Sequence, residues 1–216
     1  FHKRFYVGAN TWFVIMGDVS ERAAKRIAKQ LVGQLPTGEK TPPLPPPPAL
    51  AAAQEQRITF PASQTHVQIG QPGMRRGDPD YFPLYVGNYI LGGGGLVSRL
   101  SDEVREKKGL SYSVYSYFMP LRVDGPFMLG LQTKNTQRDE AVKLLRQVLA
   151  DFVAKGPTDK EMEAAKKHIT GGFPLRIDSN GKIAEYLAVI GFYGLPLTYL
   201  DDFIPRVEAV TVEQVR

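Results

Sequence analysis

The sequence predicts an α+β fold: an antiparallel sheet with helices packed on one face. Three observations carry that reading. Stretches with a side-chain period of two fall together at 64–71, 111–118 and 125–133. Stretches with helical period follow one another at 136–155, 158–170 and 179–192. The last two strands are joined by a short turn around Pro120 to Asp124, too short for a helical crossover. Strands first and helices afterward suit a hairpin or meander covered on one side.

Taken in order, TWFVIMG at 11–17 is a continuous apolar run that reads as a buried strand. Asp18 and Val19 turn it, Ser20 is placed to cap, and 21–32 is helical with Ala23, Ile27 and Leu31 on one stripe. The composition then shifts to LPTGEKTPPLPPPP, where proline fixes φ and lacks the N–H, so this is a semi-rigid extended connector. The chain therefore divides into 1–35, a linker at 36–56, and an α+β domain at 57–216. Within the last, 57–60 and 64–71 read as strands, and Asp78-Pro79-Asp80 starts a helix that the glycines 92–95 end. A helix over 98–108 follows, with Val97, Leu100 and Val104 on its inner face and Lys107-Lys108-Gly109 suited to its C-terminus. The strands at 111–118 and 125–133 come next. Helices then run over 136–155, stopped by Gly156-Pro157; from Thr158 to about 170, broken by Gly171-Gly172; and over 179–192, ended by Gly194. A short turn is expected over 200–204, and Thr211 with Gln214 opens a last helix.

Composition sets bounds on function. The chain of 216 residues is 43% hydrophobic and 23% charged, ordinary for a globular protein, and no apolar run approaches the roughly 18 residues that span a bilayer. Absence of an initiating methionine and of a leader pattern suggests a piece of a longer polypeptide. With no cysteine, disulfides, thiolate metal sites and a catalytic thiol are excluded. The net charge of +5 comes from scattered pairs such as Arg75-Arg76 and Lys166-Lys167, not a stripe, so a nucleic-acid partner is not indicated. His2, His66 and His168 lie far apart with no H-x-x-E-H in either direction. They read as structural or solvent-exposed, and no metal or cofactor site is encoded. No G-x-S-x-G and no phosphate-loop signature occurs; the glycines 92–95 suit a hinge or a close crossing.

The richest stretch is GGGGLVSRLSDEVREKKGLSYSVYSYF at 92–118. It sets Arg105 and Tyr112 seven residues apart across a helix-to-strand junction, with Arg105 at the border of core and solvent and Tyr112 opening the strand on the side of Val114, Ser116 and Phe118. A guanidinium and a phenol both donate to carbonyl oxygen, a pairing suited to gripping a peptide main chain. On the residues alone, an exposed arginine beside a half-buried tyrosine remains the plainer reading.

Together with ANTWFVIMGDVS at 9–20 and GKIAEYLAVIGFYGLPLTYLDDFIPRVEAVTVEQV at 181–215, that stretch resembles the C-terminal, non-zinc-binding half of a pitrilysin/insulinase-type zinc peptidase, across nearly the whole chain. The resemblance implies a mitochondrial-processing-peptidase-like half-domain, 1–35 being the terminal strand and helix of the half-domain before it. It implies a homologous zinc-bearing half, on the same polypeptide or a separate subunit, that closes with this one around a peptide substrate. Arg105 and Tyr112 would then serve substrate binding and transition-state support, with no zinc bound by this chain. The alternative the resemblance allows is a catalytically silent scaffold, assembly or peptide-binding subunit. Relatives of this kind favour a periplasmic or secreted setting. An unpaired apolar strand at 11–17 would dock on an exposed edge or pair with another chain, giving a homodimer through 1–35.

Overall fold

The computed structural model describes all 216 residues. In chain order the elements are α1 (His2–Phe5), α2 (Glu21–Val32), β1 (Gln64–Pro72), α3 (Tyr81–Asn88), β2 (Val114–Phe118), β3 (Pro126–Lys134), α4 (Arg138–Lys155), α5 (Asp159–Gly172), α6 (Asn180–Tyr193), α7 (Tyr199–Ala209) and α8 (Val212–Val215). Two wide π turns, Tyr89–Gly93 and Ser101–Glu106, stand between α3 and β2. No helix is long and apolar enough to cross a membrane. The chain forms two compact units, Phe1–Pro45 with Gly171–Phe203, and Pro46–Thr170 with Ile204–Arg216.

The second unit holds the sheet, ordered β1-β3-β2 and antiparallel throughout. Register places Val67 and Val114 on either side of Leu131, and Ile69 and Ser116 on either side of Leu129. That face carries the core: Val114, Phe127, Leu129 and Leu131 are buried, as are Ala141, Leu145, Val148 and Phe152 along one stripe of α4. The helices cover this face, as the alternation of β2 and β3 requires. On the opposite face Tyr115 and Tyr117 stack at 6.0 Å between centroids, and Gly130 sits under the Tyr115 ring, where a Cβ would come within 2.5 Å.

A half-buried bidentate ion pair fastens the turn between α4 and α5. Arg99 Nε and Nη2 donate to the two carboxylate oxygens of Glu161 at 2.5 and 2.6 Å, and Nη2 also donates to the Gly156 carbonyl at 2.9 Å. The Arg99 guanidinium lies over the Phe152 ring at 5.1 Å. That pairing, with Thr158 donating from its N–H and hydroxyl, holds the Glu161 carboxyl down to about 2, against the opposing effect of burial.

In the first unit Ser20 caps α2 by accepting from the Ala23 N–H at 3.3 Å, as its sequence indicates. The connector is tied back at two points, Pro36 accepting from the Gly8 N–H at 3.1 Å and Asn10 Oδ1 from the Thr41 N–H at 2.7 Å. Phe173 stacks on Phe203 at 4.2 Å, with Tyr186 and Tyr199 edge-on to that pair.

Several expectations are corrected. Residues 11–17 form no strand and do not join the sheet. The other segments of their unit are helical or irregular and offer no ladder to pair with, and Trp12, Phe13 and Met16 stay 58%, 40% and 42% exposed. The segment 57–60 is irregular and exposed, and the ladder starts at Gln64, opposite Lys134. The expected turn at 200–204 belongs to α7, which continues through Pro205. Burial of Tyr199, Phe203 and Val207 outweighs the roughly 3 kcal/mol that an interior proline costs. Gly171 and Gly172 extend α5 instead of breaking it. Strand β2 begins at Val114, not Ser111: the Ser111 hydroxyl lies 2.7 Å from the carbonyls of both Ser113 and Gln132 and holds the chain in a bend.

Candidate functional site

A groove of about 660 Å³ opens between α3, with the wide turn that follows it, and β2. One wall is the stripe Tyr81, Tyr85, Asn88 and Gly92, spaced so that helical geometry puts all four on one side. The other is β2, with Tyr112 and Ser113 before it and Pro120 after it. This strand is an edge of the sheet. The Gln132 N–H donates to the Ser113 carbonyl and the Met119 N–H to the Pro126 carbonyl, so the alternating ladder directs the amides of 114, 116 and 118 away from β3.

The glycine run is explained at Gly92. A Cβ there would stand 2.6 Å from the Ser116 amide nitrogen and 2.5 Å from its hydroxyl, so only glycine lets the turn meet the strand. The contact is a helix-to-strand one. Beside it the buried Ser116 hydroxyl donates to Asn88 Oδ1 at 2.7 Å and ties the walls at the base.

Arg105 and Tyr112 come together. The wide turn Ser101–Glu106 closes through the Lys107 N–H to the Asp102 carbonyl, and Gly109, at φ +60°, reverses the chain. The chain then returns over the helix, and the Arg105 guanidinium carbon lies 4.5 Å from the Tyr112 ring centroid, a cation–π stack. Arg105 Nε also approaches the Glu106 carboxylate at 3.3 Å. The exposures reverse the plainer reading of an exposed arginine and a half-buried tyrosine, while Arg105 keeps the border position expected of it. Tyr112 is 84% exposed because β2 starts beyond it, and it lines the groove. Arg105 is half-buried, supports the ring, and is not among the lining residues. Val97, expected on the inner face, is exposed in the turn Gly95–Val97, while Leu100 and Val104 are fully buried.

At the far end of the groove stands a second arginine and tyrosine. Arg76 Nη1 donates to the Tyr81 hydroxyl at 2.9 Å, and its guanidinium lies 5.3 Å from the Tyr81 ring centroid. Tyr81 stacks nearly parallel on Tyr85 at 5.9 Å. Arg76 is the only charged residue lining the groove. The Arg76 N–H donates to the Leu121 carbonyl at 2.7 Å, which pins its loop to the chain leaving β2. Sequence reading passed over this set. The available signal was a polar-tipped stripe, Tyr81, Tyr85 and Asn88, on an otherwise apolar helix.

Zinc does not fit this chain's donors. No three His, Asp or Glu side chains gather as a metal cluster. His2 stacks on Tyr6 at 4.4 Å, His168 stacks on Tyr89 at 5.1 Å, and His66 projects from the exposed side of β1. What the groove offers is hydrogen-bond donors, aromatic faces and one cation, groups that can donate to carbonyl or carboxylate oxygen.

The sequence profile of the family described as "Peptidase M16 inactive domain" matches residues 1–169. An uncharacterized zinc protease of Streptomyces coelicolor is 32% identical over 166 residues, which covers 77% of this chain and 36% of that protein. The uncharacterized zinc protease YmxG of Bacillus subtilis is 33% identical over 153 residues, covering 70% of this chain and 37% of its own. A crystal structure of a peptidase M16 inactive domain from Pseudomonas fluorescens superposes with a TM-score of 0.89 at 41% identity, over 99% of this chain and 51% of that one. The chain thus spans little more than a third of these curated relatives and about half of the crystallised one.

Proposed function

This chain belongs to the peptidase M16 inactive-domain family, and from that premise we propose that it is the non-metal-binding half of a two-part zinc endopeptidase. A homologous zinc-bearing half hydrolyses peptides or unfolded proteins, and this half holds the substrate main chain in the groove between α3 and β2. Tyr112 donates from its hydroxyl to a substrate carbonyl. Arg105 fixes the ring and adds positive charge behind it. The observation that supports this reading is the 4.5 Å stack of Arg105 on a tyrosine that lies open at the groove mouth.

The test is turnover of an unstructured peptide by the zinc-bearing half together with this chain carrying Tyr112→Phe or Arg105→Ala. A lost donor of this kind costs about 100- to 1000-fold in kcat. Because the two side chains touch, the double variant loses little more than either single one. Unchanged turnover by both single variants, with folding intact, rejects the assignment.

A second reading is a catalytically silent scaffold or peptide-binding subunit of the same fold. The position of Arg105 off the groove surface favours it, since its charge is already engaged by Tyr112 and Glu106. Separately, the exposure of Phe13 and Met16 supports association of two copies through 1–35.

A further inference from the structure

Resting on the reading of this groove as a peptide site, we propose that Arg76, held by Tyr81, is a specificity-determining residue that selects an acidic side chain in the bound segment, at the end of the groove opposite Tyr112.

The argument begins with spacing. Strand β2 runs for five residues from Val114 to Phe118, about 17 Å at strand rise. Tyr112 precedes it by two residues, and the Arg76 backbone meets Leu121 beyond its end. Tyr112 and Leu121 are nine positions apart with the five-residue strand between them, so the two arginine–tyrosine pairs bracket the groove by about 17–30 Å, roughly five to nine residues of extended peptide. A segment whose carbonyl sits at Tyr112 reaches Arg76 with a side chain about five to nine positions away.

Charge then decides what that side chain is. No acidic residue lines the groove, and its neutral lining leaves Arg76 as the single fixed charge. A guanidinium in such a recess favours a carboxylate over an amide or a cation, and with Nε buried and Nη1 on Tyr81 it meets that carboxylate from its Nη end. Position is fixed as well as charge. The backbone bond to Leu121, the turn closed by the Asp78 N–H on the Arg75 carbonyl, and Gly77 at φ +83° set the loop. The Tyr81 hydroxyl and ring set the guanidinium plane. Tyr81 in turn is braced by Tyr85, so the fork is oriented before a ligand arrives.

The occupant is thus an extended peptide with an Asp or Glu about five to nine residues from the peptide bond that Tyr112 serves. The experiment is fluorescence anisotropy with this chain and labelled peptides of about twelve residues built from Ala, Thr, Ser and Val. They carry one Glu near either end, with matched Gln peptides as controls. The wild-type chain is expected to bind one Glu peptide about 10-fold more tightly than its Gln match, as a charge-assisted hydrogen bond allows, and the advantage should shrink as salt rises. Arg76→Gln brings the Glu and Gln peptides to equal affinity. Arg76→Lys retains part of the preference, and Tyr81→Phe reduces it. Equal binding of Glu and Gln peptides by the wild type, or a preference that survives Arg76→Gln, overturns the role of Arg76. If binding is then still lost with Tyr112→Ala, the groove reading stands without it. If no peptide binds at all, both fall together.

Discussion

Replacing Gly92 by alanine tests the geometry on which the groove depends. The added methyl would lie 2.5 Å from the Ser116 hydroxyl, 2.6 Å from the Ser116 amide nitrogen and 2.7 Å from Leu100 Cδ1. Ordinary contacts of this kind are about 3.5 Å or longer, so the wide turn must retreat from β2 by roughly 1 Å. The hydroxyl and the leucine methyl can rotate away; the amide nitrogen cannot. Two effects oppose each other. The φ of Gly92 is not in the left-handed region, so alanine gains up to about 1 kcal/mol from its better helix propensity. Overpacking against backbone costs about 1–3 kcal/mol, and retreat also stretches the Ser116–Asn88 bond at the base. Steric cost wins, and a net loss of about 1–2 kcal/mol is expected, a fall in Tm of roughly 2–8 °C for a chain of this size. Gly171→Ala is the internal control. Its site has nothing within 4 Å and lies inside α5, so the same change should be neutral or stabilise by up to about 1 kcal/mol. Thermal unfolding read by far-ultraviolet circular dichroism reports both. Equal Tm values for Gly92→Ala and Gly171→Ala would show that the turn does not press on β2.

The Glu161 carboxyl, held by Arg99 near 2 instead of its ordinary 4.5, stabilises the fold fully above about pH 4.5, and that contribution drains away as pH falls toward 2. At 1.36 kcal/mol per pH unit the drop corresponds to about 3 kcal/mol; with Glu161 29% exposed, solvent screening brings this to about 1–2 kcal/mol. Glu161→Gln should therefore lower stability by that amount at pH 7 and flatten the acid decline, measured by urea unfolding from pH 7 to pH 3; parallel curves for variant and wild type refute it. For association through 1–35, Phe13→Asp with Met16→Asp should shift mass by light scattering from dimer toward monomer, and a wild-type chain that is monomeric at high concentration ends that proposal.

Local signals were legible and non-local ones were not. Ser20 and Thr211 are readable as caps because each acts within three residues of itself. The period-two pattern gave β1 and β3 nearly to the residue, since one face of each packs on the core. The run at 11–17 has strand composition but no partner strand in its own unit, and composition cannot supply one. Helix α7 crosses Pro205 because of burial that the local sequence does not reveal. The seven-residue spacing pointed to Arg105 and Tyr112, yet not to their mutual stacking, which depends on the reversal at Gly109. Arg76 was invisible for a similar reason: its loop is placed by Leu121, 45 positions along the chain.

The two wide turns account for the shape of the groove and for what it can hold. A π turn fits one more residue into a turn than an α-helix does, shifting the side chains that follow it. Tyr89–Gly93 uses that shift to bring Gly92 against the outward amide of Ser116, closing the middle of the β2 edge. Ser101–Glu106 uses it at the end of its helix, just before the reversal that sets Tyr112 on Arg105. An incoming chain therefore meets an edge obstructed at its centre and furnished with donors at both ends, Tyr112 at one and Arg76 at the other. A continuous added strand is disfavoured by that arrangement, whereas anchoring at two points about five to nine residues apart is favoured. On the proposed reading, selectivity for backbone at Tyr112 and for charge at Arg76 follows from where the glycine stands.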